Sequence, residues 1–355
     1  MSDARRIVVK IGSSSVTGED GTPATALLDR LAAEIAALAG EGVDVVVVSS
    51  GAVAAGWAAL GKGAPRPADL AVLQAVSAVG QHHLMSAWSS AFETVGRTVG
   101  QVLLAPHDFA DRNQYLHARQ TLEQLLALGV VPVVNENDAV ADDEIRFGDN
   151  DRLAALVAHL VGASRLVMLT DAPGLLSANP ALDPNASLIE EVTEFDRSLE
   201  ALAGGPGSEV GSGGMASKLA AARIATWSGI EAVIAAASAP GVLRALEAGE
   251  AVGTRFVARE AHLSARKLWI AFALGASGRL VIDQGAQRAL CTEGSSLLAQ
   301  GVIARSGDFE AEDAVEVVNE EGTLIAKGLV RFGSKEQAPA GDPVLIHRDD
   351  LVLMD

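Results

Sequence analysis

Two lysines stand where phosphate chemistry could use them. Lys10 lies inside the apolar run RRIVVKIG and is followed directly by Gly12-Ser13-Ser14-Ser15. A charge in a buried strand is costly without an anionic partner. A lysine at a sheet edge could instead snorkel to water. The Gly/Ser turn favours the first reading, because backbone N–H groups and hydroxyls beside a cation make a phosphate cradle. Lys218 closes GGPGSEVGSGGMASK, which has six glycines between Gly204 and Gly214. The spacing is not that of a Walker A loop. Gly211-Ser212-Gly213-Gly214-Met215-Ala216 fits G-x-G-x-x-A but lacks the preceding strand that a dinucleotide fold requires. A Gly-rich loop entering a helix with a lysine in its first turns still suits nucleotide phosphates. The whole chain has six lysines, so two in such loops is informative.

A third feature is NENDAVADDEIRFGDND, residues 135–151, in which seven of 17 residues are acidic and three are Asn. Asn135, Glu136, Asn137 and Asp138 end a strand-like run, and Gly148-Asp149-Asn150-Asp151 opens a helical one. Asp149 or Asn150 could serve only as a helix cap. Capping does not account for two clusters bracketing one short loop. They suit recognition of an α-amino group, or alignment of Mg²⁺ or of lysines. Ser49-Ser50-Gly51-Ala52 is a small-residue turn running into a helix, equally explained by a Ser cap. Thr170-Asp171 closes another apolar run and reads as a turn or as a nucleotide contact. The seven histidines show no metal-ligand or triad spacing. A carboxylate nucleophile is already ionised at neutral pH, with a pKa of about 4.3, and needs no general base.

These residues need a frame. Strands are expected at Ile7–Ile11, Val43–Ser49, Val99–Leu104, Val131–Asn135, Leu166–Thr170 and Ala232–Ala236. Helices are expected around 24–39, 69–94, 113–128, 151–161, 215–228 and 241–248. Continuous apolar strands alternating with helices predict an α/β fold, a mainly parallel sheet sandwiched by helices. Its strand C-terminal ends then share one edge, where ligands bind. From Arg279 the pattern changes to short strands and turns with no long helix. This predicts a small β-rich second domain, joined through REAHLSARKLW. The domains are expected at 1–258 and 276–355.

Composition excludes several classes. Net charge is −18, and residues 276–355 hold seven Lys plus Arg against 14 Asp plus Glu. That argues against nucleic acid as a partner. The uncharged stretch from Val45 to Gly61 contains Ser49, Ser50 and three glycines after a strand pattern, so it is not read as a membrane span. The N-terminus lacks the long apolar core of a signal peptide. The single cysteine, Cys291, rules out an internal disulfide framework and favours a reducing, cytoplasmic compartment.

Lys10-Ile-Gly-Ser-Ser, VVSSGAVAAG, SAVGQ, VVPVVNENDAV, FGDND, LTDAPGL and GSGGMASK together resemble the glutamate 5-kinases, a family of the amino-acid kinase superfamily. The tail, RKLWI through GRLVIDQGAQRAL to GSSLLAQGV, resembles their C-terminal PUA domain. It carries only GSKEQAPAGDPVLI between RF and HRDD, where the family has a longer helical insertion. The resemblance implies ATP- and Mg²⁺-dependent phosphorylation of the L-glutamate γ-carboxylate, the first step of proline biosynthesis. It further implies proline as feedback inhibitor, a homo-oligomer and a functional link to glutamyl phosphate reductase. Carried over by position, Lys10 and Lys218 neutralise the moving phosphoryl and Asp151 orients both. Ser50, Gly51, Asn135, Asp138, Asp149 and Asn150 bind glutamate. Lys10, Gly12, Thr170, Asp171 and the loop Ser212, Gly213, Gly214, Met215, Ala216, Ser217 and Lys218 bind ATP. No protein metal ligand is implied. Kinases of acetylglutamate, aspartate or a nucleotide are the alternatives within the superfamily. An N-acylated substrate has no cationic amine for the acidic cluster to meet.

Overall fold

The computed structural model describes residues 5–61, 69–109, 111–140, 150–180, 183–195, 199, 202, 214–260, 263–336 and 343–354. The chain forms two compact units, Met1–His262 and Leu263–Asp355.

The first unit runs β1 (Arg5–Ile11), α1 (Ser13–Val16), α2 (Thr25–Gly40), β2 (Val43–Ser49), α3 (Ala52–Ala59), α4 (Leu70–Glu93) and β3 (Val99–Leu104). It continues with α5 (Arg112–Ala127), β4 (Val131–Glu136), α6 (Asn150–Leu160), β5 (Arg165–Thr170), β6 (Glu191–Val192), α7 (Met215–Trp227), β7 (Glu231–Ala236), α8 (Val242–Glu247) and β8 (Thr254–Phe256). The eight strands form one sheet in the order β3-β4-β2-β1-β5-β7-β8-β6. All neighbours are parallel except β7 and β8. β6 and β8 escape a sequence reading because runs of two and three residues show no periodicity. The uncharged stretch from Val45 to Gly61 is β2 followed by α3, and no helix among the described residues is long and apolar enough to cross a membrane.

β1 sits near the middle of the sheet, between β2 and β5, and its period of two sorts its side chains. Ile7, Val9 and Ile11 enter the core built with α2 and α4, where Leu31, Ile35, Trp88 and Phe92 are buried. Val8 and Lys10 therefore point to the opposite face, which α6 covers. α6 is buried on nearly every side, which fits its apolar sequence. Its acidic first turn is consequently forced into the interior.

α3 and α4 cross at two glycines. A Cβ on Gly80 would lie 1.7 Å from the Ala52 carbonyl oxygen, and one on Gly56 would lie 1.9 Å from that of Val76. Only glycine permits this approach. It brings the face of α4 bearing Ser77 and Gln81 against the turn after β2.

In the second unit, α9 (Ala265–Leu268) leads into a π turn, Trp269–Ala273, within the segment expected as a joint. There follow β9 (Gly278–Ile282), α10 (Gln284–Glu293), β10 (Leu297–Leu298), β11 (Val302–Gly307), β12 (Ala314–Val318), β13 (Leu324–Leu329), β14 (Val344–Ile346) and β15 (Leu351–Leu353). A five-stranded sheet, β11-β9-β12-β13-β15, packs over Leu280, Ile282, Val315, Val317 and Leu345, and β10 pairs with β14. The unit is β-rich as expected, and its one helix of more than a turn or two among the described residues, α10, is a ten-residue element that the reading of short strands and turns did not include. Asp283 caps it by accepting from the Ala286 N–H, and Gly294 ends it with φ +60°. Its sequence hides it because only Leu290 is fully buried along ten residues.

Candidate active site

The strand ends of β1, β2, β4 and β5 meet on one edge, as a parallel sheet requires. Lys10 is in register with Val48 and Met168, and Ile11 with Ser49 and Leu169. Gly12 N–H donates to the Leu169 carbonyl, tying the turn after β1 to β5. A cleft of about 740 Å³ opens there, lined by Lys10, Gly12, Ser13, Ser14, Ser50, Thr170, Asp171, Gly214, Met215 and Lys218 among others.

A buried ion cluster forms its floor. Lys10 is 2% exposed and Asp151 0%. Lys10 Nζ lies 2.5 Å from Asp151 Oδ1, and Lys218 Nζ lies 3.4 Å from Oδ2. Ser217 Oγ donates to the same Oδ2 at 2.6 Å. Burial alone would raise the Asp151 carboxyl, but Lys10 and Lys218 outweigh it and hold the group below the usual carboxylate range. Burial lowers the Lys218 ammonium, Asp151 partly restores it, and repulsion from Lys10 lowers it further. Two cations share the Asp151 carboxylate, and the Asp171 carboxylate also acts on Lys218. Lys10 comes from β1, Asp151 from α6 and Lys218 from α7, so three elements must pack correctly before the cluster exists. Gly214 provides no side-chain cap for α7, and Gly214 and Met215 line the cleft at its N-terminus.

A second cluster adjoins the cleft at Ser50. Asn150 Nδ2 donates to the Ser49 carbonyl at 3.1 Å, to Ser50 Oγ at 2.9 Å and to Asn135 Oδ1 at 2.7 Å. Asn135 Nδ2 donates to Gln81 Oε1 at 2.6 Å. Trp88 Nε1 fixes the Ser49 hydroxyl at 2.9 Å. Gly51 makes the turn at φ +106°, a conformation that L side chains resist. Asp138 opens a 3-10 turn, Asp138–Val140, and is buried. Burial pushes its carboxyl up to about 6, although the Ser77 hydroxyl donates to it. Among the described residues no cation sits on Asp138.

Of the residues singled out from sequence, Lys10, Asp151 and Lys218 come together in the first cluster, and Ser50, Asn135 and Asn150 in the second. Thr170 is buried and donates to the exposed Asp171 at 2.9 Å, both at the cleft. Met215 and Ala216 are half-buried at the start of α7. The Ser217 hydroxyl is committed to Asp151 rather than to the open cleft. Asp149, Ser212 and Gly213 lie outside the described residues. From sequence, Ser77 and Gln81 enter only as part of the motif SAVGQ and are given no role. The available signal was two polar residues, four apart, on the stripe of α4 that also carries Val76, Leu84 and Trp88.

A family model described as the amino acid kinase family matches residues 5–236, and a PUA domain model matches residues 278–344. The chain is 46% identical to a glutamate 5-kinase of Burkholderia mallei (strain SAVP1) over 369 aligned positions, covering 100% of this chain and 99% of that one. A glutamate 5-kinase of Burkholderia cenocepacia (strain HI2424) matches to the same extent. Among solved structures, carbamate kinase from Giardia lamblia bound to AMP-PNP matches with a TM-score of 0.51 at 16% identity, covering 73% of this chain and 100% of that one. At that identity the likeness shows the fold alone.

Proposed function

The chain belongs to the amino acid kinase family, and on that premise we propose that it transfers the γ-phosphoryl group of ATP to the γ-carboxylate of L-glutamate. The observation that carries the reading is the pair of buried lysines on one carboxylate at the floor of a cleft, together with a second buried carboxylate, Asp138, that no cation meets among the described residues. A free amino acid with a distal carboxylate satisfies both parts.

Phosphoryl transfer is catalysed mainly by positioning and charge neutralisation. An oxygen of the ionised γ-carboxylate attacks the γ-phosphorus, the bond to the β-phosphate oxygen breaks, and ADP leaves. Lys10 and Lys218 neutralise the charge spread over the transferring group. Each ammonium at about 4 Å is worth roughly 4 kcal/mol at an effective dielectric of about 20. Asp151 holds both ammonium groups on one side of that path, and Ser217 holds Asp151. Asp138 meets the substrate ammonium, with Asn150, Asn135 and the Ser50–Gly51 turn around it. Thr170, Asp171 and the loop ending at Lys218 hold the nucleotide, and the volume of the cleft admits it. No group of three or more metal-ligating side chains occurs among the described residues. A magnesium ion bound with the nucleotide would add charge neutralisation at the phosphates.

The same kinship supports proline biosynthesis as the pathway, proline as feedback inhibitor, a homo-oligomeric, cytoplasmic enzyme and supply of the acyl phosphate to glutamyl phosphate reductase. The kinase domain is 1–258 and the PUA domain 276–355. The test is hydroxamate formation from trapped acyl phosphate when full-length protein is incubated with ATP, Mg²⁺, hydroxylamine and glutamate. Signal that requires both ATP and glutamate supports the reading. Its absence under conditions where the protein is folded and binds ATP removes it.

A further inference from the structure

The amide groups of the second cluster form a chain with a fixed direction. The Ser49 carbonyl can only accept, so the part of Asn150 facing it must be Nδ2. Nδ2 also faces Asn135 Oδ1, which turns Asn135 Nδ2 toward Gln81 Oε1. Each orientation follows from the one before it. The two ends are then determined. Asn150 Oδ1 is left as an acceptor and Gln81 Nε2 as a donor, both buried and both without a hydrogen-bond partner among the described residues. Gln81 is 8% exposed and Asn150 3%.

A buried donor without a partner costs about 1–3 kcal/mol, and such groups in native proteins call for an explanation. Here one chain leaves a donor at one end and an acceptor at the other. Asp138 stands beside the donor end. Its partner Ser77 is one turn before Gln81 on α4, and residues four apart share a helix face. The face therefore offers an anionic acceptor and a neutral donor one turn apart. A zwitterionic α-amino acid head presents the complement, an ammonium beside a carboxylate.

We propose that Gln81 is a specificity-determining residue that reads the substrate α-carboxylate through Nε2, while Asp138 and Asn150 Oδ1 read the α-ammonium. This deepens, and rests on, the reading of the site as one for glutamate. The Gly80–Ala52 crossing holds Gln81 in place from within the same motif, SAVGQ.

The test compares glutamate with its α-amide, which keeps the α-ammonium and the γ-carboxylate acceptor but loses the α-carboxylate charge. Wild-type turnover of glutamate is measured first, and its absence would be a failure of the functional reading, not of this assignment. The variant is Gln81→Glu, which keeps Oε1 for Asn135 and turns the free end from donor to anion. It is expected to raise the glutamate KM about 100-fold or more, with the ATP KM unchanged. Its loss on the α-amide, whose NH₂ can donate to the new carboxylate, is expected to be at least tenfold smaller. Gln81→Met, neutral and of similar length, guards against misfolding from a buried charge. It is expected to lose about 10- to 100-fold on glutamate and little on the α-amide. Equal losses on both substrates in a folded variant would make Gln81 only a prop for Asn135 and overturn the assignment. Unchanged kinetics would overturn it as well.

Discussion

Replacing Asp138 by Asn should make the ligand-free protein more stable and the enzyme worse. Burial raises this carboxyl from 3.8 to about 6. At 1.36 kcal/mol per pH unit, the ionised group costs the folded state roughly 3 kcal/mol at neutral pH. An Asn side chain keeps an acceptor for the Ser77 hydroxyl but brings an N–H₂ that also needs a partner, at about 1–3 kcal/mol, so the net gain should be about 0–2 kcal/mol. The sign with pH follows from linkage. The folded-state pKa is raised, so the penalty is fully present above about 6 and disappears as pH falls toward 3.8. Melting of the ligand-free variant should therefore exceed wild type at pH 8, and the difference should shrink through that window. Steady-state kinetics supply the other half. Loss of a charge-assisted contact worth about 1.5–3 kcal/mol should raise the glutamate KM about 10- to 100-fold and leave the ATP KM alone. Wild-type glutamate KM should climb below pH 6 as Asp138 protonates, while that of Asp138→Asn stays flat. A variant less stable than wild type at pH 8, or one with an unchanged glutamate KM, would refute this account of Asp138.

Further outcomes follow from the same geometry. Lys10→Ala and Lys218→Ala should each lower kcat by about 10²- to 10³-fold in folded protein, and near-normal turnover would remove that lysine from the mechanism. Asp151→Ala leaves two buried ammonium groups without their anion, so it should cost about 3–5 kcal/mol in denaturant melts as well as activity. Gly80→Ala places a methyl 1.7 Å from a backbone oxygen, so it should cost several kcal/mol or abolish folding, and a wild-type melting curve would contradict the helix crossing. Truncation after residue 262 should leave an active kinase, because both clusters lie in the first unit; a folded but inert fragment would show that the second unit completes the site.

Most of the parallel sheet was legible because its strands are short, largely apolar runs between helical segments, and Val43–Ser49 and Val99–Leu104 form as read. Lys10, Asp151 and Lys218 were legible as chemistry, since a lysine in a buried strand needs an anion. Their convergence was expected only from the family resemblance, because physically it depends on α6 covering the face of β1 that bears Lys10 and on α7 packing against α6. The role of Gln81 was missed for a related reason. It lies 54 residues from Asn135, and only the Gly56–Gly80 crossing carries it to the end of β4. Helix α10 was missed although Asp283 and Gly294 bracket it, because its one fully buried apolar residue, Leu290, stands among small and polar residues.

The most direct measurement is kcat/KM for glutamate against N-acetylglutamate with wild-type protein, ATP and Mg²⁺, read as trapped hydroxamate. Both compounds carry the γ-carboxylate that the lysines serve, and only glutamate carries the ammonium that Asp138 needs. The account predicts ready turnover of glutamate and a preference for it of at least about 100-fold. Equal turnover of the two, or a preference for the acetylated compound, would contradict it.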